Sequence, residues 1–304
     1  MIVKAPAKLN LYVQVGPRGE NGYHDITTVF QAISLYDTLK ISPAQPPNGL
    51  TITVEGIDSH KIPTDSRNLV IKAVKALSDH IGIEPNVHFH LEKSIPTEAG
   101  LGGGSADAAA ALIGCNMMWD ANVDESELLA IAVTVDEDTA FFIKGMMALG
   151  TGLDKPPVSL TCGKCTWHWV LGFLSRGLST KEVYEKYDEV LARKGFNGAM
   201  YQSRHEHCVQ TAWGSASPHL LAAELVNDLE QPAVEMLPDV RTALSVGTDA
   251  GALASLMAGA GSTCAFLAES EDHAKSLAMK LQGHTFFRKI VLATGPVEHA
   301  FIIQ

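Results

Sequence analysis

The chain has few positive charges, and this shortage excludes two classes of partner. It carries 23 lysines and arginines against 34 aspartates and glutamates, a formal net charge of -11. Such a balance gives no general attraction to nucleic acid or to an anionic membrane surface, so we expect neither as a partner. A small anionic substrate stays open, because it needs only a local group of hydrogen-bond donors.

Long apolar runs and cysteine are also scarce. The best apolar run, Ala106 to Met118, contains Asp107 and Asn116 and is shorter than the roughly 18 residues of a membrane span. The first fifteen residues alternate like a strand and lack the apolar centre of a signal peptide. The five cysteines are an odd number spread along the chain, which favours reduced thiols. We therefore expect a soluble, cytoplasmic protein.

Apolar residues are abundant overall, which indicates a globular protein with an ample core. The 304 residues are 46% hydrophobic and 19% charged. This length is about twice that of a usual domain of about 150 residues, which favours two lobes. Pro156 and Pro157 follow a Gly-Thr-Gly segment and mark a boundary near residue 155. We predict an N-terminal lobe over 1–155 and a C-terminal lobe over 156–304.

Local patterning predicts a mixture of strands and helices. Alternating apolar residues predict strands over 2–4, 9–15, 38–42, 50–55, 86–93, 167–173, 265–268 and 289–293. Helical periodicity predicts helices over 68–80, 105–116, 180–193, 233–245 and 271–281. Residues 16–24 form a turn-rich connection. The mixture is typical of the α+β class.

The strongest local signal is a glycine-rich segment that leads into an alanine-rich helix, Ile95 to Asp107. Its three consecutive glycines, Gly102 to Gly104, let backbone amides approach a ligand without a Cβ in the way. Ser105 adds a hydroxyl, and the helix that follows presents its positive N-terminal end. The segment is neither a GxxxxGK[ST] loop nor a GxGxxG fingerprint. It suits phosphate binding, and a plain strand-to-helix connection is the alternative.

Two further segments accompany it, Pro6 to Leu11 (PAKLNL) and Met257 to Thr263 (MAGAGST). With the glycine-rich segment between them, they resemble the three motifs of the GHMP kinase superfamily. Two other blocks, Asn21 to His24 (NGYH) and Thr180 to Tyr184 (TKEVY), are more specific. They resemble the branch that phosphorylates 4-diphosphocytidyl-2-C-methyl-D-erythritol in the non-mevalonate isoprenoid pathway.

This resemblance implies an activity and a fold. The activity is ATP-dependent phosphorylation of the tertiary 2-hydroxyl of the methylerythritol unit, with Mg2+ accompanying ATP. The fold is a two-lobed α+β GHMP kinase fold. In it, an N-terminal lobe like ribosomal protein S5 domain 2 faces a ferredoxin-like C-terminal lobe across the active site. The alternatives are a GHMP kinase for another alcohol, such as homoserine or mevalonate, and a nucleotide-binding homologue without turnover. The resemblance allows a monomer or a homodimer.

The resemblance also assigns two catalytic residues, Lys8 and Asp138. The Lys8 ammonium would lie near the attacking hydroxyl and the γ-phosphate, where it favours developing negative charge. Asp138 matches the general base through its Asp-x-x-Phe-Phe frame. The family's usual Gly-Ser/Ala-Asp-Val-Pro-Phe-Phe run is altered here by Asp136, Glu137, Thr139 and Ala140. Without the resemblance, a strand lysine and an acidic turn would simply be solvated.

The binding residues follow from the same resemblance. On the adenine side it assigns Asn68 and Leu69, with Lys93 and Asn116 as weaker candidates. The ATP phosphates would meet the glycine-rich residues Pro96, Thr97, Glu98, Ala99, Gly100, Leu101, Gly102, Gly103, Gly104, Ser105 and Ala106. Tyr23 and Tyr184 would stack on the two faces of cytosine, and His24 would read its polar edge. The rest of the substrate would meet Asn10, Thr180, Gly259, Gly261, Ser262 and Thr263.

Two cysteine and histidine groups lie outside these motifs. The pair Cys162 and Cys165 has CxxC spacing but no second pair, and the cluster Arg204 to Cys208 (RHEHC) has no partner cluster. His88 and His90 alternate on one strand face, which predicts exposure. We therefore expect no metal ion held by the protein alone.

Overall fold

A computed structural model of the protein describes residues 1–20, 22–44, 49–152, 155–163, 165–195 and 216–304. The cluster Arg204 to Cys208 lies outside the described residues. The described strands are β1 (Ile2–Arg18), β2 (His24–Pro43), β3 (Leu50–Gly56), β4 (Val87–Lys93), β5 (Met147–Thr151), β6 (Val158–Ser159), β7 (Trp167–Leu174), β8 (Val226–Asn227), β9 (Ala254–Met257), β10 (Cys264–Ala268), β11 (Phe287–Gly295) and β12 (Phe301–Ile302).

The described α-helices are α1 (Leu69–Ile81), α2 (Gly103–Met118), α3 (Glu125–Val135), α4 (Thr139–Lys144), α5 (Thr180–Arg193), α6 (Pro218–Glu224), α7 (Glu230–Met236), α8 (Asp239–Asp249) and α9 (Glu271–Leu281). A short 3-10 helix spans Ser59–Lys61. Among the described residues, none of the helices combines the length and the apolar character that crossing a membrane requires.

The larger sheet is built around the long antiparallel pair β1 and β2. Its strand order is β12-β1-β2-β4-β3, with β5 paired to β2 and β8 paired to β1. The register between β1 and β2 shifts at Pro6/Ala7 and again at Asn10/Tyr12. Irregularities of this kind turn a strand locally. The two shifts therefore bracket the short stretch that carries Lys8 and Asn10.

Helix α2 is buried because its side chains are small. Its alanines 106 and 108–111 are fully buried in the core of the larger sheet. A Cβ at Gly114 would lie 2.3 Å from Ile41 Cδ1 and 3.0 Å from Val3 Cγ2, so the glycine permits close contact with the sheet. This packing fixes the N-terminal end of α2 at the edge of a cavity described below.

The smaller sheet has the antiparallel order β11-β7-β10-β9. Helices α8 and α9 pack against it, with Phe266 and Leu277 fully buried in its core. A third buried cluster joins the two sheets and contains Leu9 and Leu11 of β1 together with Trp169 of β7. The two sheets therefore share this buried cluster.

The two-sheet architecture confirms the predicted α+β class, and the structure corrects several local predictions. The predicted strand over 38–42 is the end of the much longer β2. The connection predicted over 16–24 is shorter, because β1 continues to Arg18. The helix predicted over 233–245 is wrong: it is two helices, α7 and α8, since Pro238 between them cannot continue a helix. Helices α3, α4 and α6 were not predicted.

The chain after residue 155 forms the whole smaller sheet and also returns to the larger one. Strands β8 and β12 pair with β1, and β6 pairs with β5. A division of the chain near residue 155 remains our proposal.

Cys115, Cys162, Cys165 and Cys264 are free thiols. Burial and the neighbouring Cys162 raise the pKa of Cys165 to about 12.

Candidate active site

A cavity of about 500 Å³ opens where β1, the glycine-rich segment and the start of α5 meet. Its wall contains most of the residues that the sequence singled out: Lys8, Asn10, Leu69, Pro96, Thr97, Glu98, Ala99, Gly100, Leu101, Gly102, Gly103, Gly104, Ser105, Asp138, Thr180, Tyr184 and Gly259. Such an enclosure, with polar groups converging from several elements, is typical of a small-molecule site.

The glycine-rich loop is defined here as residues 96–105, and its backbone is held both by β1 and by the turn between β9 and β10. Lys8 N donates to Leu101 O at 3.0 Å, and Thr263 N donates to Ala99 O at 3.4 Å. Gly100 has φ 74°, and a Cβ there would lie 1.8 Å from Ala258 O. Only glycine meets both conditions. The loop is therefore locked between β1 and the turn before β10.

The loop ends in the N-terminus of α2. Gly102, at the N-cap, adopts φ 68°, and among the described residues no side chain caps this end of the helix. The first amides of a helix lack partners within the helix. They are therefore free to bind an anion in the cavity, and the helix dipole favours negative charge there.

Lys8 and Asp138 meet at the cavity wall although they lie 130 positions apart in the chain. Lys8 Nζ lies 3.3 Å from Asp138 Oδ2 and also donates to Asn10 Oδ1. Asn10 Nδ2 in turn donates to Thr28 Oγ1 at 2.8 Å. The lysine side chain is 7% exposed, so its charge is held in one place. The arrangement puts a fixed cation beside a carboxylate that faces the cavity.

Asp136 and Glu137 also lie in the cavity wall. Ser105 Oγ donates to Asp136 Oδ2, and the same oxygen is 3.4 Å from the backbone nitrogen of Asp138. Burial, and then the charge of Asp138, raises the pKa of both Asp136 and Glu137. In the sequence, Asp136 and Glu137 stand out only as departures from the family's usual run before the catalytic aspartate. Their position next to Asp138, a few residues before the buried Phe141 and Phe142, is the signal that they belong to the site.

Tyr184 closes another part of the wall and stacks on His24. The two ring centroids are 5.5 Å apart with an interplanar angle of 25°. His24 Nδ1 lies 2.9 Å from Gly16 O, and Nε2 lies 3.2 Å from Asp188 Oδ1. The protein thus engages both ring nitrogens of His24. Tyr23, at the turn before β2, is 59% exposed.

Other expected site residues lie beside the cavity. Asn68 caps α1: its side chain accepts from Val70 N at 2.9 Å and donates to Pro63 O at 2.7 Å. Ala106 is buried inside α2. Gly261 N donates to Ala258 O, and Ser262 Oγ donates to Arg176 O. The roles predicted for these residues, and for Tyr23 and His24, stay predictions.

The sequence motifs assign no site role to Asn227. Its side-chain nitrogen donates to both Met257 O and Gly259 O at 2.8 Å. It therefore holds the turn between β9 and β10 in place beside the glycine-rich loop. A short block, Asn227 to Pro232, contains it, but nothing local indicates which turn its amide reaches.

Lys93, which also contributes to the cavity wall, forms a buried ionic cluster with Asp37 and Asp107. Lys93 Nζ bonds to Asp37 Oδ2 and, at 2.7 Å, to Asp107 Oδ2. Asp37 Oδ1 also accepts from Ile95 N at 2.9 Å. Burial raises the pKa of Asp107 well above its usual range, and Lys93 opposes that shift. Burial alone would lower the pKa of Lys93, but the two carboxylates outweigh it and raise that pKa.

Outside the cavity, Glu55, His90 and Glu92 bring three ligand-type atoms within 4.8 Å of one another. They lie on neighbouring strands β3 and β4, and Lys40 already bonds to Glu92 Oε1. Because these side chains are partly exposed and one of them already pairs with a lysine, they form a surface ion-pair group.

Comparison with known proteins assigns the family. The family model described as GHMP kinases N terminal domain matches residues 68–146, and the model described as GHMP kinases C terminal matches residues 216–284. A 4-diphosphocytidyl-2-C-methyl-D-erythritol kinase of Nocardia farcinica is 42% identical, over 100% of this chain and 96% of its own length. The corresponding protein of Mycolicibacterium smegmatis is 38% identical over 99% of this chain and 92% of its own length.

Solved structures agree with these relatives. The crystal structure of a 4-(cytidine 5'-diphospho)-2C-methyl-D-erythritol kinase superposes with a TM-score of 0.76 and 30% identity, over 97% of this chain and 98% of the other. A homoserine kinase from Cytophaga hutchinsonii, at 18% identity and TM-score 0.74 over 98% of this chain and 95% of its own, shares the fold. The fold is therefore that of the GHMP kinases. Within them, the chain belongs to the 4-diphosphocytidyl-2-C-methyl-D-erythritol kinase family, which confirms the resemblance in the sequence.

Proposed function

We propose that the protein transfers the γ-phosphoryl group of ATP to the 2-hydroxyl of 4-diphosphocytidyl-2-C-methyl-D-erythritol, a step of the non-mevalonate isoprenoid pathway. The named activity of full-length relatives supports this substrate. The observation that carries the chemistry is the Lys8–Asp138 pair, 3.3 Å apart in the wall that also contains the glycine-rich loop. A base, a cation and a phosphate site therefore share one cavity.

The glycine-rich loop and the first amides of α2 would bind the phosphates of ATP. Backbone amides suit this task because they donate hydrogen bonds without adding bulk, and the helix dipole favours the anion. Ser105 adds a hydroxyl at the same end of α2. Leu69, at the start of α1, contributes an apolar contact to the wall on the side assigned to adenine.

Lys8 and Asp138 would act on the acceptor hydroxyl. Asp138 accepts the hydroxyl proton as the oxygen attacks the γ-phosphorus and the bond to the β-phosphate oxygen breaks. Lys8 holds the carboxylate in place and stabilises the negative charge that develops on the attacking and transferred oxygens. Asn10 fixes the ammonium from the other side through its Oδ1. Positioning and charge together supply most of the catalysis of phosphoryl transfer.

The cavity also offers the donors that Mg2+ prefers. Carboxylates of Asp136 and Asp138 and the hydroxyl of Ser105 are hard oxygen donors in one wall. The Ser105–Asp136 contact shows that two of these groups reach one another. This donor set fits a magnesium ion that arrives with ATP. When bound, Mg2+ would neutralise part of the phosphate charge.

The substrate assay tests the proposed function directly. With Mg2+ and ATP, we expect ADP release that depends on 4-diphosphocytidyl-2-C-methyl-D-erythritol and not on homoserine or mevalonate. The measurement is coupled detection of ADP with each alcohol in turn, and mass analysis of the phosphorylated product. ADP release with homoserine or mevalonate alone would assign the chain a different alcohol.

Replacing Tyr184 by alanine should weaken substrate binding. If its ring stacks on cytosine, Tyr184→Ala should lose about 1–3 kcal/mol of substrate affinity, the usual effect of removing a stacking partner. Tyr184→Phe keeps the ring and serves as the matched control. Calorimetric titration with the cytidyl substrate and with an ATP analogue checks this, since ATP affinity should hardly change. Equal losses for both ligands would indicate a folding defect and contradict the assignment.

A further inference from the structure

We propose that Asp58 and Arg288 form a clamp between the lobes that positions the glycine-rich loop for ATP. Asp58 precedes the 3-10 helix after β3, and Arg288 lies in β11 of the smaller sheet. The inference rests on the proposed kinase function, because it assigns a positioning role at the same phosphate site. Nothing in the local sequence connects these two residues, which are 230 positions apart.

The contact between the two side chains is bidentate. Arg288 Nη1 donates to Asp58 Oδ1 and Nη2 donates to Asp58 Oδ2, both at 2.9 Å. Paired bonds of this kind fix direction as well as distance. The Asp58 side chain is 8% exposed and that of Arg288 is 30% exposed, so solvent screens the pair less than it would a surface pair. The guanidinium lowers the pKa of Asp58 to about 2, so the carboxylate stays charged.

The same carboxylate reaches the glycine-rich loop. Asp58 Oδ2 accepts a hydrogen bond from Thr97 N at 3.2 Å, so Arg288, Asp58 and the loop backbone form one connected chain. Asp58 itself holds φ 54°, a left-handed conformation that is uncommon outside glycine. This turn aims the carboxylate at two partners at once.

The segment just before α5 also holds Glu98, the next residue of the loop. Leu178 N donates to Glu98 O at 3.2 Å, and a Cβ on Gly177 would lie 2.6 Å from Glu98 Cβ. The loop entrance is therefore confined on one side by Asp58 and on the other by the segment before α5. Because phosphate binding depends on amides aimed at one point, a small shift of this entrance should weaken ATP binding.

Lys61 provides a matched control. Its Nζ lies 3.5 Å from Glu98 Oε2, so it is a second cation paired with a carboxylate at the same loop. Both side chains are well exposed, and such pairs contribute little. Removing Lys61 changes the charge near the loop by the same amount as removing Arg288 but leaves the clamp intact.

The experiment compares Asp58→Asn, Arg288→Met, their double variant and Lys61→Met. For each, it measures the affinity for a non-hydrolysable ATP analogue, the KM values for ATP and the cytidyl substrate, kcat, and the thermal midpoint. We expect about ten-fold weaker ATP binding in each clamp variant and no further loss in the double variant, because both break one connection. The ATP affinity of Lys61→Met should stay within about two-fold of that of the parent protein. The KM for the cytidyl substrate should also stay within about two-fold in the clamp variants.

Two results would overturn the clamp. One is a lowered thermal midpoint with unchanged ATP affinity, which would mean that the pair only stabilises the lobe contact. The other is fully additive losses in the double variant. If Arg288→Met does not fold, Arg288→Lys keeps the charge without the bidentate geometry and should show a smaller loss of ATP affinity. Binding of the analogue is read without turnover, so a failure of the proposed kinase reaction is distinguishable from a failure of the clamp.

Discussion

Asp138→Asn should lower the rate of turnover by about 10²-fold or more while the protein still binds ATP. The amide keeps the shape of the side chain but cannot accept the hydroxyl proton as a carboxylate does. It also removes the charge 3.3 Å from Lys8 Nζ. Single-turnover measurement of product formation, beside the affinity for a non-hydrolysable ATP analogue, separates loss of chemistry from loss of nucleotide binding.

Glu137→Gln is the matched control for this prediction. Glu137 is the adjacent carboxylate in the same wall, and its conversion removes one negative charge from the same turn. We expect it to retain turnover within about ten-fold, because no proton transfer depends on it. Normal turnover in Asp138→Asn together with loss of turnover in Glu137→Gln would assign the general base to Glu137 instead of Asp138. An inactive parent that binds ATP well would favour the non-catalytic alternative.

Lys93→Met should destabilise the protein by about 3–5 kcal/mol, the usual effect of leaving a buried charge without its partner. Asp37 and Asp107 are 0% and 4% exposed at the side chain, and Lys93 is the cation bonded to both. Without it, the two carboxylates repel one another or must take up protons. Urea unfolding at neutral pH measures the change in the free energy of unfolding.

Lys40→Met is the control, because Lys40 also bonds to a carboxylate, that of Glu92, but its side chain is 46% exposed. Its removal should leave the free energy of unfolding almost unchanged. A double variant, Lys93→Met with Asp107→Leu, should recover part of the stability, since it removes one of the two stranded charges. A loss in Lys93→Met no larger than that in Lys40→Met would show that the buried cluster does not depend on the cation.

Local patterns predicted much of the fold. The helix predicted over 180–193 coincides with α5, because its capping serine and its apolar spacing are both local. The strand predicted over 86–93 corresponds to β4, whose residues alternate between core and surface. By contrast, α3 was missed because its apolar residues are spread around the helix, although Asp124 and Glu127 form a local capping box, and α4 has only six residues, too few to show a helical period. Tertiary packing decides such segments.

The candidate site divides in the same way. The motifs indicate Lys8, the glycine-rich loop and Asp138, because each lies in a recognisable local pattern. The contact of Asp136 with Ser105 and the pairing of Asp37 with Lys93 depend on how distant elements meet. Asp37 reaches Lys93 because β2 and β4 pair in one register, with Thr38 opposite Glu92. A single sequence holds no pattern that reports such a register.

The first two register shifts between β1 and β2 limit which changes in length this strand can tolerate. Between them, Lys8 and Asn10 point toward the cavity, while Leu9 and Leu11 are fully buried in the interior shared by the sheets. Because neighbouring strand residues face opposite sides, one inserted or deleted residue here would exchange the two sets. It would bury an ammonium among apolar side chains and present leucine to the substrate. A one-residue insertion or deletion here would therefore destroy activity and packing in a single event, whereas a substitution changes only one side chain.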